Sequence, residues 1–325
     1  MAFSHDGLSQ DTKDIEFYTD NENKIESVYL NKAQVLLEAL PYIKEDFAKI
    51  VVVKIGGAMM ENDSIMQSVL DDLILMKYVG IKVVLVHGGG RQITELMEQK
   101  KIKVEFVDGL RVTTKDTIDV VKMVLMGSIN SKIVSFLNKH GNAAVGISGN
   151  DGNFIVCKKK IYKKEGRDID LGYVGEIQSV DGSFITNILL NDYIPVIATL
   201  GTDTVGNLYN INADTCASEI AITLKAKKMI LLTDVDGIAG NGDALKNGLP
   251  NAGTGKKLIS RLSAQKCIDM IESGEIAAGM IPKVKACINS LKNGVERTHI
   301  LNGINKHVIL IEIFTDKGIG TMITL

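Results

Sequence analysis

The run Ile50–Ile55 is apolar apart from Lys54 and stops at Gly56-Gly57, as expected of a strand buried on both faces. Asn62 or Asp63 then caps a predicted helix with Ile65, Val69, Leu73 and Met76 on one face, closed by Gly80. Ile81–Val86 is a second buried strand, ending at Gly88-Gly89-Gly90, and a helix through Ile93, Leu96 and Met97 follows. Thr114 opens a longer helix whose apolar positions are Ile118, Val121, Val124, Leu125, Ile129, Ile133 and Leu137, with Gly141 after it. Ala143–Ile147 and Ile194–Ala198 read as further buried strands, and residues 154–180 as antiparallel ribbons. The alternation restarts with a helix over Asp214–Lys225 and a strand over Lys228–Thr233. A helix capped by Ser263 runs to Ser273, and another has Pro282 in its first turn and ends at Gly294. His299–Leu301 and His307–Phe314 are expected to be closing strands. Ahead of the first strand, Val28, Leu30, Ala33, Val35, Leu36, Ala39 and Leu40 recur at helical spacing within Ile25–Ile43, with a break or kink expected at Pro41. No apolar run approaches the ~18 residues of a membrane span.

Alternating strands and helices predict an α/β chain, with a central, mostly parallel sheet covered by helices on both faces in three layers. Ligands of such sheets bind at the carboxyl ends of the strands, where the glycine clusters and isolated lysines and aspartates of this chain fall. At about 150 residues per domain, 325 residues allow two lobes or one large domain. The charge balance of 37 basic against 39 acidic side chains, with no tryptophan, argues against a nucleic-acid surface. The first 25 residues hold six carboxylates (Asp6, Asp11, Asp14, Glu16, Asp20 and Glu22) and two lysines. That is a polar leader unlike a secretory or organellar one. Cys157, Cys216, Cys267 and Cys287 are far apart, which suits no zinc site or disulfide framework and favours a reducing, cytoplasmic setting.

The sequence lacks a Walker-type GxxxxGK[ST], a GxGxxG after a strand, HExxH and GxSxG. It does have Lys54-Ile55-Gly56-Gly57 and His87-Gly88-Gly89-Gly90 at two strand ends. Glycine pairs let backbone N–H groups approach an anion, and a lysine adds a point charge suited to phosphate. Together they suggest two neighbouring anion sites, although glycine-rich turns also serve packing. Arg111, in Asp108-Gly109-Leu110-Arg111, presents a planar fork for a carboxylate, or is a surface arginine beside a turn. Asn210-Ile211-Asn212-Ala213-Asp214 places polar groups just before a helix, as site residues or as its cap. Thr233-Asp234-Val235-Asp236-Gly237 ends a strand with short polar groups suited to a nucleotide or metal, or forms an ordinary turn. Lys283 sits at a helix start against the local dipole, which suggests an anion nearby, or is a solvated lysine.

The chain resembles the amino acid kinase family from about residue 26 to its end. The resemblance is carried by VVVKIGGAMM (51–60), VHGGGRQI (86–93), DGLRVTT (108–114), GYVGEI (172–177), YNINADTCASEIA (209–221), LLTDVDGI (231–238), GMIPKVKAC (279–287) and IFTDKGIGTMI (313–323). It is most similar to members that pass the γ-phosphoryl of ATP to the side-chain carboxylate of N-acetyl-L-glutamate in arginine biosynthesis. The acceptor is already ionised near neutral pH, so catalysis needs positioning and charge neutralisation rather than a general base. The resemblance implies that Lys54 and Lys283 stabilise the transferring group and that Asp214 organises both. It puts Gly89, Gly90, Arg111 and Asn210 on the acceptor. Gly56, Gly57, Thr233, Asp234, Asp236, Gly237, Gly279 and Met280 fall on the nucleotide, with Mg²⁺ carried by ATP and no dedicated metal site.

The same resemblance makes residues 26–45 an oligomerisation helix, 46–200 an acceptor-binding lobe and 201–325 a nucleotide-binding lobe. It implies a homo-oligomer, a hexamer built as a trimer of dimers, and L-arginine as an inhibitor held near His299, Glu312 and Gly318. A nitrogen-signalling regulatory protein stays open as a further partner; nucleic acid and membrane are not expected partners. The homologous N-acetyl-2-aminoadipate stays open as acceptor, and so does a non-catalytic arginine-sensing subunit. Asn150 stands where relatives usually carry lysine, Lys317 where an acidic residue is common, and residues 239–256 are longer and richer in glycine than usual.

Overall fold

The structure is a computed structural model that describes residues 22–164, 166–240, 257–316 and 318–325. The chain divides into two compact units, residues 1–41 and 42–325. Helix α1 (Glu22–Asp46) supplies the described part of the first unit and its last turn belongs to the second. In the first unit Leu30, Val35, Leu36, Leu37 and Leu40 are all exposed.

The second unit opens with β1 (Ile50–Ile55), a 3₁₀ turn at Gly57–Met60, α2 (Asp63–Tyr78), β2 (Lys82–His87) and α3 (Gly90–Gln99). A short hairpin of β3 (Phe106–Val107) and β4 (Leu110–Arg111) leads to α4 (Lys115–Lys122), a π-helical segment Met123–Asn130, and α5 (Ser131–Asn138). Then come β5 (Ala144–Ser148), β6 (Ile155–Lys164), β7 (Arg167–Val180), α6 (Gly182–Leu190), β8 (Ile194–Ala198), β9 (Leu200–Thr202) and β10 (Leu208–Asn210). The remainder is α7 (Ala213–Thr223), β11 (Lys228–Thr233), β12 (Ala239–Gly240), β13 (Lys257–Leu258), β14 (Arg261–Ser263), α8 (Ala264–Glu272), α9 (Ile281–Lys292), β15 (Arg297–Asn302), α10 (Val308–Phe314) and β16 (Thr321–Thr324).

The main sheet has the order β14-β16-β15-β11-β1-β2-β8-β5. All neighbours from β15 to β5 are parallel, and only the β15–β16 pair is antiparallel. The mostly parallel three-layer expectation is therefore borne out. Its central strands are buried on both faces, with Val51, Val52, Val53, Val84, Leu85 and Leu231 at 1% exposure or less. The ribbons predicted over 154–180 are β6 and β7, which close a small barrel with β9 and β10. Chain order reverses across β1: β2 lies on one side and β11, from the second half, on the other. Their carboxyl ends form the crevice in which open α/β sheets bind ligands.

Four expectations need correction or limitation. The apolar run His307–Phe314 is helix α10, not a strand. A short run of β-branched residues cannot be told from a buried helical turn by periodicity, and here Asp72 accepts the backbone N–H of Ile309 near the helix start. Pro41 does not interrupt α1; the position is exposed, so water can satisfy the carbonyl a turn earlier that loses its donor. The continuous helix Lys115–Asn138 reaches a mean hydropathy of 1.4, enough by length and composition to cross a membrane. Its Ile118, Val121, Leu125, Ile133 and Leu137 are instead buried within the second unit. The acidic leader up to residue 21, Lys317 and residues 241–256 of the glycine-rich loop lie outside the described residues.

One buried carboxylate ties α10 to α2. Asp72 is fully buried and accepts from His307 Nδ1 at 2.7 Å, while His307, at φ +55°, is also held by Ser68 Oγ. Burial pushes the Asp72 carboxyl up to about 6, against the pull of His307 and backbone N–H groups. A raised folded pKa favours the protonated carboxyl, so its stabilising share is complete below the unfolded value of about 4. The native protein should therefore lose stability relative to Asp72→Asn as pH rises from about 4 to about 6, with no further change above. Denaturant melts of both proteins across that range measure the difference, and parallel profiles would contradict it.

Candidate active site

Three charged side chains from three elements meet at the sheet's carboxyl edge. Lys54 is the penultimate residue of β1, in register with Val86 on one side and Leu231 on the other. Asp214 lies in the first turn of α7, whose cap is Asn212, accepting the Thr215 N–H at 3.0 Å. Lys283 lies in the first turn of α9, next to Pro282. Helices α7 and α9 start side by side because Ser218 bonds to Ala286 and Ser290. Lys54 Nζ is 2.9 Å from Asp214 Oδ1, and Lys283 Nζ is 2.9 Å from Asp214 Oδ2. Burial pushes the Asp214 carboxyl up, but the two lysines together outweigh it and bring the group to about 2. Burial also lowers the Lys54 ammonium; Asp214 opposes that and Lys283 adds to it.

The cluster opens into a cavity of about 260 Å³, lined also by Gly56, Gly57, Gly88, Gly89, Gly90, Arg111 and Asn210. Three cations line it against one carboxylate, so it is built for anions. Packing is close here: a Cβ on Gly89 would stand 2.5 Å from Ile129 Cδ1 and 2.8 Å from Leu125 Cδ2, so those side chains would have to shift. Helix α3 starts at Gly90 with no side-chain cap, so its first N–H groups are left for a ligand. Arg111 is buried, donates to Gly90 O and Thr94 Oγ1 at 2.7 Å each, and stacks 4.6 Å from the Phe106 ring centroid. It has no carboxylate partner among the described residues.

The other nucleotide candidates stand apart from this cavity. Thr233 ends β11, the neighbour of β1, and Asp234 follows it, with Thr233 buried and Asp234 exposed. Asp236 accepts from Asn302 Nδ2 at 2.8 Å, at the end of the adjoining β15. Gly237 has φ +143°, and a Cβ there would meet Thr321 Oγ1 at 2.5 Å. Gly279 is exposed and Met280 caps α9, one turn from Lys283. Of the nucleotide set, only Gly56 and Gly57 line the cavity with Lys54 and Lys283.

His299, Glu312 and Gly318 do come together, away from that cavity. His299 Nδ1 is 2.8 Å from Glu312 Oε1, and Glu312 Oε2 accepts the Ile319 and Gly320 N–H groups. A Cβ on Gly318 would lie 2.7 Å from Glu312 Oε2. His299 Nε2 is buried without a hydrogen-bond partner.

A model of the amino acid kinase family matches residues 49–302, most of the chain. The chain belongs to the amino acid kinase family. It is 47% identical over 296 residues to the acetylglutamate kinase of Caldicellulosiruptor bescii, covering 91% of this chain and 97% of that one. It is 48% identical over 298 residues to the acetylglutamate kinase of Archaeoglobus fulgidus, covering 90% and 99%. Among solved structures it resembles the N-acetylglutamate synthase of Neisseria gonorrhoeae in complex with coenzyme A and N-acetyl-glutamate (TM-score 0.77, 26% identity, 90% of this chain). The chain spans 63% of that synthase. A second structure of the synthase, with coenzyme A and L-arginine, matches with TM-score 0.72 at 25% identity, covering 90% of this chain and 65% of that one.

Some residues lining this cavity were not evident as site members in the sequence. Thr199, Leu125 and Phe106 line it, and Asn302 joins the Asp236 turn. Phe106 carried a signal: an exposed aromatic just ahead of the Arg111 turn is placed to cover a guanidinium. Asn150, the departure from the lysine usual in relatives, is exposed and accepts from Ser148 Oγ at 2.5 Å. Replacing Arg111 by alanine is expected to raise the acceptor KM by about a hundredfold while ATP KM stays near wild type, since a charge-assisted fork is worth roughly 3 kcal/mol. Steady-state kinetics with each substrate varied in turn separate the two.

Proposed function

We propose that this chain transfers the γ-phosphoryl group of ATP to the side-chain carboxylate of N-acetyl-L-glutamate, giving N-acetyl-L-glutamyl 5-phosphate. One observation carries the reading. Lys54 and Lys283 converge on Asp214 in the same cavity as a buried arginine with no carboxylate partner among the described residues. In this reading Arg111 holds the acceptor α-carboxylate, with Asn210 and the Gly89 and Gly90 backbone beside it. A side-chain carboxylate oxygen attacks Pγ, the bond from Pγ to the bridging oxygen breaks, and its electron pair leaves with ADP. Lys54 and Lys283 neutralise the charge shared by three anionic groups, and Asp214 keeps both ammonium groups aimed at one point.

The nucleotide would lie across Gly56, Gly57 and the turn Thr233–Gly237, towards Gly279 and Met280, with residues 46–200 serving the acceptor and 201–325 the nucleotide. Asp214, the cavity's one carboxylate, is occupied by two lysines. Mg²⁺ therefore fits as an ion held by ATP phosphates and water. It would offset phosphate charge. The decisive assay is purified protein with ATP, Mg²⁺ and N-acetyl-L-glutamate, with the acyl phosphate trapped as a hydroxamate. ATP hydrolysis without hydroxamate would reject the acceptor.

A longer acceptor, N-acetyl-2-aminoadipate, has one observation in its favour. A second cavity of about 230 Å³ shares Leu110, Val174, Ile211 and Asn212 with the first. One methylene discriminates by only about 1–3 kcal/mol, so the ratio of kcat/KM for the two acids decides, with the glutamate expected to lead. A non-catalytic sensor has no need for Lys54, Asp214 and Lys283 to meet.

The proposal extends to regulation and assembly. L-arginine would inhibit by placing its guanidinium on Glu312, displacing His299, with Gly318 leaving the space open; the arginine complex of the similar synthase supports this. The exposed apolar positions of α1 support a homo-oligomer, and a hexamer as a trimer of dimers is the form we propose, open to a nitrogen-signalling regulatory protein. Four buried, free cysteines support a reducing, cytoplasmic setting. Turnover with and without L-arginine, together with solution mass, tests these points.

A further inference from the structure

The imidazole of His87 plays no part in the chemistry above, yet it stands directly behind the glycine turn and is fully buried. Its Nδ1 lies 3.1 Å from the Gly88 carbonyl oxygen, and its Nε2 lies 3.0 Å from Asn130 Nδ2. The same amide nitrogen is 2.8 Å from the Val196 carbonyl oxygen. An amide NH₂ only donates, so one hydrogen goes to Val196 and the other to Nε2. Nε2 is then the bare nitrogen, and Nδ1 carries the hydrogen that it donates to Gly88. Turning the amide over would set its oxygen against the Val196 oxygen. Its present place is kept free by Gly146, where a Cβ would fall 1.9 Å from Asn130 Oδ1. Burial lowers the imidazole to about 4, so the ring stays neutral near neutral pH.

Asn130 ends the π-helical segment Met123–Asn130. Leu125 and Ile129 of that segment press on Gly89. π-helical turns re-aim side chains and are frequent at functional sites. One segment thus packs the glycine turn from the side and holds its carbonyl from behind. In a trans peptide the carbonyl oxygen and the next N–H point opposite ways. Holding Gly88 O on the ring therefore turns the Gly89 N–H away from His87, ahead of the uncapped start of α3.

We propose that Asn130 and His87 are positioning residues for the acceptor: they pin the Nδ1–H tautomer, hold the Gly88 carbonyl, and so aim the backbone N–H groups of the glycine turn. This rests on the acceptor assignment above.

Two measurements test it. In ¹⁵N spectra of the full chain, the signal lost in His87→Gln should show Nδ1 protonated and Nε2 bare, unchanged between about pH 5 and about pH 8. In Asn130→Ala, acceptor KM should rise about tenfold with ATP KM within about twofold of wild type. An Nε2–H tautomer, titration of His87 in that range, or an unchanged acceptor KM in folded Asn130→Ala overturns the proposal. If that variant does not fold, the wild-type spectrum decides alone. Wild type that does not turn over N-acetyl-L-glutamate refutes the acceptor assignment, while the tautomer is still read independently.

Discussion

Lys283→Ala is expected to retain its fold and to lose about a thousandfold in kcat, the scale of removing a preorganised charge from a developing anion. Its side chain is 20% exposed and sits at a helix start, so deleting it opens no core cavity. Asp214 keeps Lys54 as partner. The KM values should move far less than kcat, because the ammonium counts most when charge spreads over the migrating group. Lys283→Arg should recover little, since a planar guanidinium does not reproduce a compact point charge at 2.9 Å. A folded Lys283→Ala protein within tenfold of wild-type kcat would remove Lys283 from the proposed mechanism.

Asp214→Ala should damage stability and turnover together. Asp214 is buried and lies between two ammonium groups at 2.9 Å each. Removing it leaves two cations facing each other, one of them buried, a loss of about 3–5 kcal/mol by analogy with other broken buried pairs. Without the carboxylate, burial and Lys283 both act to lower the Lys54 ammonium further. Residual turnover of Asp214→Ala should then rise relative to wild type as pH falls, because Lys54 regains its proton. In the wild type the sign is opposite to that at Asp72. The Asp214 carboxyl is depressed to about 2, so its stabilising share is whole above the unfolded value of about 4 and is lost as pH falls towards 2. Denaturant melts across acid pH and kcat profiles of both proteins check these statements; equal stability of Asp214→Ala and wild type would sink the ion-pair account.

Much of the fold was legible because its strands are continuous apolar runs ended by glycine, and its helices carry their own caps. Asn62, Thr114, Asn212 and Ser263 each accept a backbone N–H at the helix starts they were expected to mark or precede. The run at 307–314 was misread because it is apolar apart from His307 and Glu312 and only eight residues long, too short for a period to distinguish strand from helix. Pro41 misled for the opposite reason: a strong local rule gave way at an exposed position.

What the chain determined locally was the set of elements and the chemistry at their ends: a lysine before two glycines, three glycines after a strand, an arginine in a tight turn. Spacing along a chain carries no distance through space. Only the parallel pairing of β1 with both β2 and β11, and the packing of α7 on α9, brought Lys54, Asp214 and Lys283 from three distant stretches onto one carboxylate. The same packing decided protonation, since a buried ion pair and a buried neutral imidazole are products of enclosure and partners, neither of which a linear pattern records.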